Sequence, residues 1–307
     1  MRVAAVDLGT NTTRLLVADI EDGRVDEVHR ETRITRLGEG VDARHRLLPV
    51  PIARVRNALT DYRRTLERLG SERTLAVATS AVRDAENGEA FLGEVEWSYG
   101  FATRLLSGDE EAELTRRGVD PKPGTLVVDI GGGSTELIVD DFHTSLDIGS
   151  VRYTERFVHT DPPDPEEIDE ISRAVHTILE ERVRVKAQSA IGVAGTVTTL
   201  AALDLDLDQY DRERVHGHRL TTAAARTQLA RLAALPLHKR RELPAIDPQR
   251  APVIVAGAVI LVSILDQFGL DEIEVSERDI LDGIALAAAE LPEPEEGAAP
   301  PGAYTCC

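Results

Sequence analysis

This sequence has few lysines, few cysteines and no long hydrophobic run. Three of its 35 basic residues are lysine, and its two cysteines, Cys306 and Cys307, are neighbours in the chain. Neighbouring cysteines rarely form a structural disulfide, so we expect a fold without disulfides that suits a reducing cytoplasm. The longest apolar run, Ala251 to Leu265, contains Pro252 and Gly257 and is shorter than the roughly 20 residues that cross a bilayer. We therefore expect a buried helix there.

Positive charge is also in short supply. Lys and Arg total 35 against 54 Asp and Glu, which gives a formal net charge of −19 over 307 residues. A protein that binds duplex nucleic acid or an anionic membrane needs a basic face, so neither partner is expected. No secretory signal peptide is expected, because Asp7 interrupts the first apolar stretch.

The acidic, lysine-poor composition has two explanations. Molar salt in the cytoplasm screens the self-repulsion of an acidic surface, whereas a GC-rich genome would replace lysine by arginine without selection on the protein. We favour the first explanation and infer a halophilic protein. It predicts that thermal stability rises with KCl concentration.

Several catalytic signatures are absent. The sequence contains neither G-x-x-x-x-G-K-[ST] nor a dinucleotide fingerprint, which excludes a P-loop NTPase. Ser134 lacks the flanking glycines of a nucleophile elbow, so covalent serine catalysis is not expected. His216 and His218 have too few Cys or His neighbours for a metal site, and we interpret them as structural loop histidines.

Strand and helix patterns alternate along the chain and predict an α/β fold. Three strands form a meander at the start, and the same pattern restarts after a Pro, Lys and Gly segment, Pro121 to Gly124, that we interpret as a hinge. We predict domains at residues 1–121 and 122–277, with a last helix at 278–291 that packs back onto the first domain. Residues 292–307 have little to bury and are predicted to be disordered.

The strongest internal signal is a repeated motif. VDLGTNTT (Val6 to Thr13) and VDIGGGST (Val128 to Thr135) both place an Asp and a glycine turn between two strands. Such a hairpin can close its backbone N–H groups around phosphate, and its Asp can hold Mg²⁺. Two matching loops predict two facing phosphate clamps with a cleft between the domains. The predicted phosphate-binding residues of these loops are Gly9, Thr10, Asn11, Thr12, Arg14, Gly131, Gly132, Gly133, Ser134 and Thr135.

Three further segments fit phosphate chemistry. SGDEEAEL places Asp109, Glu110 and Glu111 at a helix N-terminus, where crowding of like charges would raise their pKa values and prepare one Glu to accept a proton from water. Arg83 follows a strand in a polar loop and could neutralise charge on a transferring phosphoryl group. GVAGTVTTL offers Gly195 and Thr196 at a helix start for an anion.

These blocks together resemble one family. In chain order they are VDLGTNTTRLLV, RITRLGEGVD, ATSAVRDAEN, LSGDEEAEL, VVDIGGGSTEL, DIGSVR, GVAGTVTTLAAL and VHGHRLT. They resemble the exopolyphosphatase and guanosine pentaphosphate phosphohydrolase (Ppx/GppA) family over nearly Arg2 to Leu286. The resemblance implies two ribonuclease H-like domains of the actin, sugar kinase and acetate kinase superfamily, with an interdomain cleft.

The resemblance also implies roles for individual residues. The catalytic glutamate of the family falls on Glu111 and its arginine on Arg83. Its loop carboxylates fall on Asp7, Asp129 and Glu136, which would hold Mg²⁺ as cofactor. Glu111 would deprotonate a water for in-line attack on a terminal phosphorus.

One block departs from the family pattern. VSERDILDG has Asp279 and Leu281 where the family usually has Gly and Arg, so an anion contact to distal phosphates or to a nucleotide is expected to be missing.

The predicted function is Mg²⁺-assisted release of terminal phosphate from inorganic polyphosphate. Guanosine pentaphosphate 5′-phosphohydrolysis uses the same chemistry and stays open, as does the possibility of a homodimer. A small-molecule kinase and a non-catalytic phosphate or alarmone sensor of the same fold are weaker alternatives. Local arginines are predicted to make the cleft positive: Arg14, Arg33, Arg36, Arg83 and Arg152.

Overall fold

The structure is a computed structural model that describes residues 1–292. Within them the chain forms two compact units. The first unit comprises Met1–Gly118 together with the residues from Ile280 onwards, and the second comprises Val119–Asp279. Apart from Pro292, the tail predicted for residues 292–307 lies outside the described residues. No helix in residues 1–292 is long and apolar enough to span a membrane.

The first unit is built on a five-stranded sheet in the order β3-β2-β1-β4-β5. The strands β1, β2 and β3 are antiparallel, and β4 and β5 continue parallel to β1. Its strands are β1 (Arg2–Leu8), β2 (Thr12–Glu21), β3 (Arg24–Ile34), β4 (Arg73–Ala78) and β5 (Ala102–Leu105). Its helices up to the crossing into the second unit are α1 (Val41–Arg44), α2 (Pro49–Leu69), α3 (Ser80–Arg83), α4 (Gly88–Tyr99) and α5 (Gly108–Val119).

The second unit repeats this architecture on a six-stranded sheet. The strand order is β10-β11-β9-β6-β7-β8. The strands β6, β7 and β8 form an antiparallel meander, and β9 and β11 run parallel to β6. Its strands are β6 (Thr125–Ile130), β7 (Thr135–Val139), β8 (Phe142–Leu146), β9 (Ser189–Val193), β10 (Arg219–Thr221) and β11 (Glu272–Val275). Its helices are α6 (Ser150–Phe157), α7 (Pro165–Arg182), α8 (Ala194–Asp204), α9 (Arg212–Val215), α10 (Thr222–Ala234), α11 (Leu237–Arg240) and α12 (Ile254–Phe268).

This topology confirms the predicted α/β fold with two ribonuclease H-like halves. Each half has an antiparallel three-stranded meander, as the strand pattern predicted, and parallel strands extend the sheet from its first strand. The central strand β1 is buried on both faces, as expected for a strand covered by helices on each side. The polypeptide returns to the first unit as α13 (Ile280–Ala289), whose Leu281 and Ile284 lie in a core cluster with Val3 and Ala5 of β1.

Local signals set several element ends. The helix α2 starts at Pro49 and ends at Gly70, whose left-handed conformation (φ 76°) terminates it. Asp164 and Glu167 form a reciprocal capping box at the start of α7. The buried helix expected over Ala251–Leu265 is present but starts later, at Ile254. Pro252 lacks an N–H and disfavours helical backbone at Ala251, the residue before it.

Candidate active site

The two glycine loops have the same backbone geometry. In the first unit the N–H of Gly9 donates to the carbonyl of Thr12 at 2.9 Å, and in the second the N–H of Gly131 donates to the carbonyl of Ser134 at 3.0 Å. A Cβ added at either glycine would lie 3.1 Å from that same carbonyl oxygen. The repeat found in the sequence is therefore also a repeat of the turn that joins β1 to β2 and β6 to β7.

The two loops differ in the residue opposite the aspartate. Asp7 faces Arg14 across the β1 and β2 ladder, whereas Asp129 faces Glu136 across β6 and β7. The Arg14 guanidinium donates from Nε to Asp7 Oδ2 at 2.9 Å, and its Nη2 lies 2.7 Å from that oxygen. The first loop thus holds an ion pair where the second holds two opposed carboxylates.

The second loop brings two buried acidic residues together on adjacent strands. Asp129 and Glu136 are 6% and 1% exposed, and the Ser145 hydroxyl donates to Glu136 Oε1 at 2.7 Å. Like charges directly opposite each other in a sheet are unfavourable, and a hard cation with oxygen ligands compensates them. No group of three or more His, Cys, Asp or Glu within residues 1–292 has the geometry of a metal site.

Two hydroxyls at the second loop are buried. Ser134 is 3% exposed, and the fully buried Thr135 donates its hydroxyl to the carbonyl of Ile148 at 2.6 Å. This bond ties β7 to the segment after β8. Thr135 was predicted to contact phosphate, and in the structure its side chain serves that internal contact.

Arg83 and Glu111 meet in the first unit. Arg83 ends α3, and its Nη1 donates to the carbonyl of Leu106 at 2.8 Å and to Glu111 Oε2 at 3.3 Å. Glu111 lies in the first turn of α5 and is 8% exposed. The Leu106 carbonyl anchors the guanidinium, so one arginine is held both to the backbone and to a buried carboxylate 28 residues away.

Backbone packing fixes the helix that carries Arg83. A Cβ added at Gly88 would lie 1.9 Å from the carbonyl oxygen of Val82, so α4 begins in direct contact with α3. The Asn87 side chain accepts from the N–H of Leu47 at 2.8 Å and donates to its carbonyl at 3.1 Å. The ATSAVRDAEN block therefore fixes the position of Arg83. The sequence pattern did not predict the short helix α3 that carries it.

The acidic cluster does not behave as crowding predicts. Glu110 accepts from the N–H of Ser107 at 2.9 Å, while its own N–H donates to the Ser107 hydroxyl at 3.2 Å, which is a capping box. The hydrogen bond from the Ser107 backbone is the main cause that holds the pKa of Glu110 below its usual value. The Ser107 hydroxyl and the nearby Arg104 lower this pKa further. The expected rise is therefore wrong for Glu110. It caps the helix, whereas Glu111 is buried beside Arg83.

Helix α13 packs closely against the helix of Glu111. A Cβ at Gly283 would lie 1.9 Å from the carbonyl oxygen of Leu114, one turn after Glu111. Leu281 is fully buried in the core, and Asp282 receives a hydrogen bond from Arg30 at 3.1 Å. The VSERDILDG block, which departs from the family pattern, therefore packs against α5. Its Leu281 is part of the hydrophobic core.

The GVAGTVTTL segment places Gly195 and Thr196 in the first turn of α8. Arg250 donates from Nη1 to the carbonyl of Gly195 at 2.7 Å and to the Thr199 hydroxyl at 3.0 Å. A Cβ at Gly195 would lie 2.3 Å from that guanidinium, so glycine leaves room for the arginine against the first turn of α8. Arg250 was not among the predicted residues. It lies 55 residues from Gly195 in the sequence, and no local pattern indicated their contact.

Arg33, which was predicted to make a cleft positive, and the two loop histidines have partners within their own units. Arg33 donates to Glu31 at 2.7 Å and to Asp61 at 2.6 Å, so its charge is compensated by those carboxylates. His218 Nε2 lies 2.8 Å from Asp204 Oδ2, and His216 Nδ1 accepts from the N–H of Glu277 at 3.2 Å. Both histidines hold loops of the second unit.

Comparisons with known proteins agree with this architecture. The sequence model described as the Ppx/GppA phosphatase family matches residues 16–290. Exopolyphosphatase 2 of Mycobacterium tuberculosis is 41% identical over 314 residues, covering 94% of this chain and 98% of that protein. The crystal structure of an exopolyphosphatase-like protein has a TM-score of 0.89 and 36% identity, covering 95% of this chain and 100% of that one. The Aquifex aeolicus Ppx/GppA family member has a TM-score of 0.80 and 32% identity, with 94% and 98% coverage. The chain belongs to the Ppx/GppA phosphatase family.

Proposed function

We propose that this protein is an exopolyphosphatase that releases the terminal phosphate of inorganic polyphosphate. The contact between buried Glu111 and anchored Arg83 carries the proposal, because it joins a base and a fixed cation. Support comes from the names of its relatives, exopolyphosphatase 2 and exopolyphosphatase 1 of Mycobacterium tuberculosis, at 41% and 28% identity. Two glycine loops of the same geometry fit a substrate made of repeated phosphates.

In the proposed reaction Glu111 accepts a proton from a water molecule as the water oxygen attacks the terminal phosphorus. The bridging P–O bond breaks, orthophosphate leaves, and the chain shortened by one phosphate takes the electron pair. Arg83 stabilises the negative charge on the phosphoryl oxygens, and the Leu106 carbonyl keeps it oriented before substrate binds. The N–H groups of Gly9 and Gly131 close the two turns. The N–H groups that follow them in each loop, and those near Gly195 and Thr196, bind further phosphate oxygens.

We propose Asp129 and Glu136 as direct ligands of a divalent cation, with Mg²⁺ as the ion. Two buried, opposed carboxylates on adjacent strands are a hard oxygen donor set that fits it. Asp7, the third carboxylate that the family resemblance assigns to the ion, accepts a hydrogen bond from Arg14 in the first unit. When bound, the ion neutralises charge on phosphate oxygens and orients them.

The family also includes guanosine pentaphosphate phosphohydrolases, so that nucleotide is the second candidate substrate. The deciding experiment measures orthophosphate release by the purified protein from long-chain polyphosphate and guanosine pentaphosphate in parallel, in KCl with Mg²⁺. We expect release from polyphosphate, and loss of that release after chelation with EDTA and its return on adding Mg²⁺. Release from the nucleotide alone would replace the proposal with the second candidate. Release from neither would favour the kinase or sensor alternatives.

We further propose that the protein works in a cytoplasm of high salt. The net charge of −19 and the three lysines support this. We expect the melting temperature to rise between dilute buffer and molar KCl, because screening within a Debye length of about 3 Å at 1 M relieves repulsion among surface carboxylates. Differential scanning fluorimetry across a KCl series measures it, with NaCl as the matched salt. A melting temperature independent of salt would contradict the high-salt explanation and leave genome composition.

A further inference from the structure

Both glycine loops are held by the segment that follows the third strand of their unit. We call residues 35–40, after β3, strap 1, and residues 148–152, after β8, strap 2. In strap 1 the N–H groups of Thr35 and Arg36 donate to the carbonyl of Asn11 at 3.0 and 2.9 Å, and that of Gly38 donates to Thr10 at 2.8 Å. Both carbonyls at the tip of the first loop are thus bound by strap 1.

Strap 2, whose residues 150–152 are the first turn of α6, also binds carbonyls of the second loop, at partly different positions. The N–H of Ser150 donates to the carbonyl of Gly131 at 3.0 Å, and those of Val151 and Arg152 donate to Gly132 at 2.8 and 3.1 Å. Arg152 also donates from Nε to the carbonyl of Gly133 at 2.7 Å. Arg152 was predicted to make a cleft positive, and here its side chain orients a loop carbonyl.

Binding these carbonyls sets the direction of the loop N–H groups. In a trans peptide the C=O of one residue and the N–H of the next point in opposite directions. The only cis bond in residues 1–292 is Asp161-Pro162, so the loop peptides are trans. Carbonyls held towards the straps therefore turn the following N–H groups to the other side. That orientation suits an anion, which carbonyl oxygens repel and N–H groups attract.

Each strap contains a glycine that approaches its loop too closely for any side chain. A Cβ at Gly38 would lie 2.3 Å from Thr10 Cγ2 and 3.2 Å from Ala81 Cβ on α3, the helix that ends at Arg83. A Cβ at Gly149 would lie 2.3 Å from the carbonyl oxygen of Gly132 and 2.5 Å from the carbonyl carbon of Gly133. Both glycines are needed for the loop carbonyls to reach the strap N–H groups.

We propose that Gly38 and Gly149 are positioning residues that, through straps 1 and 2, orient the N–H groups of the two phosphate loops towards substrate phosphates. This inference rests on the proposed function, since it assumes that these loops bind phosphate. It assigns a role to the RITRLGEG and DIGSVR blocks, which the catalytic scheme leaves without one. Gly38 also sets the separation between the first loop and α3.

The test compares G38A and G149A with G93A, a helical glycine of α4 whose added Cβ meets nothing within 4 Å. The readouts are orthophosphate affinity by calorimetry, kcat and KM for polyphosphate, and melting temperature. For G38A and G149A we expect orthophosphate Kd to rise about tenfold and kcat/KM to fall about 100-fold, since a 1 Å misplacement can cost that much. G93A is expected to match the wild type in Kd and kcat/KM and to melt at the same temperature or higher, since alanine favours a helix. Unchanged Kd and kcat/KM in the folded strap variants, whatever their melting temperature, would overturn the proposal.

A second substitution separates positioning from general damage. T10S removes the Cγ2 atom that an alanine at position 38 would meet at 2.3 Å and keeps the hydroxyl. We expect G38A to weaken phosphate binding much less in the T10S background than in the wild-type background. A double-mutant cycle measures this difference. Additive losses would show that displacement of Thr10 is not the cause and would overturn the role of Gly38.

Two results distinguish this inference from the proposed function. Wild-type protein that binds orthophosphate but hydrolyses neither polyphosphate nor guanosine pentaphosphate would refute the proposed function, and the strap variants would still be judged on phosphate Kd. Wild-type protein that hydrolyses polyphosphate while G38A and G149A bind and turn over normally would refute the inference alone. Absence of orthophosphate binding to the wild type would overturn the inference.

Discussion

Replacing Glu111 by Gln is expected to lower kcat for polyphosphate by about 1,000-fold, within the range that general bases contribute, while KM changes little. The amide keeps the size of the side chain and an oxygen that can accept from Arg83, which lies 3.3 Å away. It cannot take a proton from the attacking water. The loss should therefore fall on the chemical step, and steady-state kinetics with orthophosphate affinity as a second readout would show it.

The neighbouring glutamate provides the matched control. E110Q makes the same chemical change one residue earlier, on a side chain that accepts from the N–H of Ser107 and contacts Arg104. We expect its kcat to stay near that of the wild type, because capping does not involve the water. Equal losses in E110Q and E111Q, or a kcat of E111Q within tenfold of the wild type, would contradict the assignment of Glu111 as base.

The glycine loops could be predicted because their signal is local. An Asp, a glycine and small hydroxyl residues between two apolar runs specify a strand, a tight turn and a returning strand within eight residues. The motif recurs, and the structure shows the same Gly9 and Gly131 hydrogen bonds in both units. Composition and periodicity also sufficed for the α/β class, since strands and helices alternate.

What could not be predicted depends on contacts between distant segments. Arg250 reaches Gly195 from 55 residues away, and Gly283 meets Leu114 across 169 positions in the chain. The close approach at Gly38 follows from the packing of Thr10 and not from its own neighbours in sequence. A glycine in a loop has many explanations until the atoms around it are known.

The acidic segment shows how local chemistry can mislead. Three successive carboxylates suggested mutual repulsion and raised pKa values. The structure separates the second and third of them: Glu110 turns back to the Ser107 N–H, which lowers its pKa, while Glu111 is buried beside Arg83. Helix geometry places successive side chains about 100° apart, so neighbours in sequence need not share an environment.

Replacing Arg83 by Lys is expected to lower kcat for polyphosphate by about 100-fold, as removal of one oriented donor to a developing negative charge does. Lysine keeps the charge but has one ammonium in place of a planar fork. It cannot both donate to the Leu106 carbonyl and present a second N–H group to a phosphoryl oxygen in fixed geometry. R116K, on the exposed ion pair with Glu113, is the control and should retain wild-type kcat.

The Arg83 and Glu111 variants are also expected to be non-additive. Because the two side chains touch, loss of Arg83 disturbs Glu111, and loss of the Glu111 carboxylate removes a charge that helps to hold Arg83. The fold-loss of kcat in R83K/E111Q should therefore be smaller than the product of the two single fold-losses. A double variant whose losses multiply would mean that the residues act independently, and the 3.3 Å contact would then have no part in catalysis.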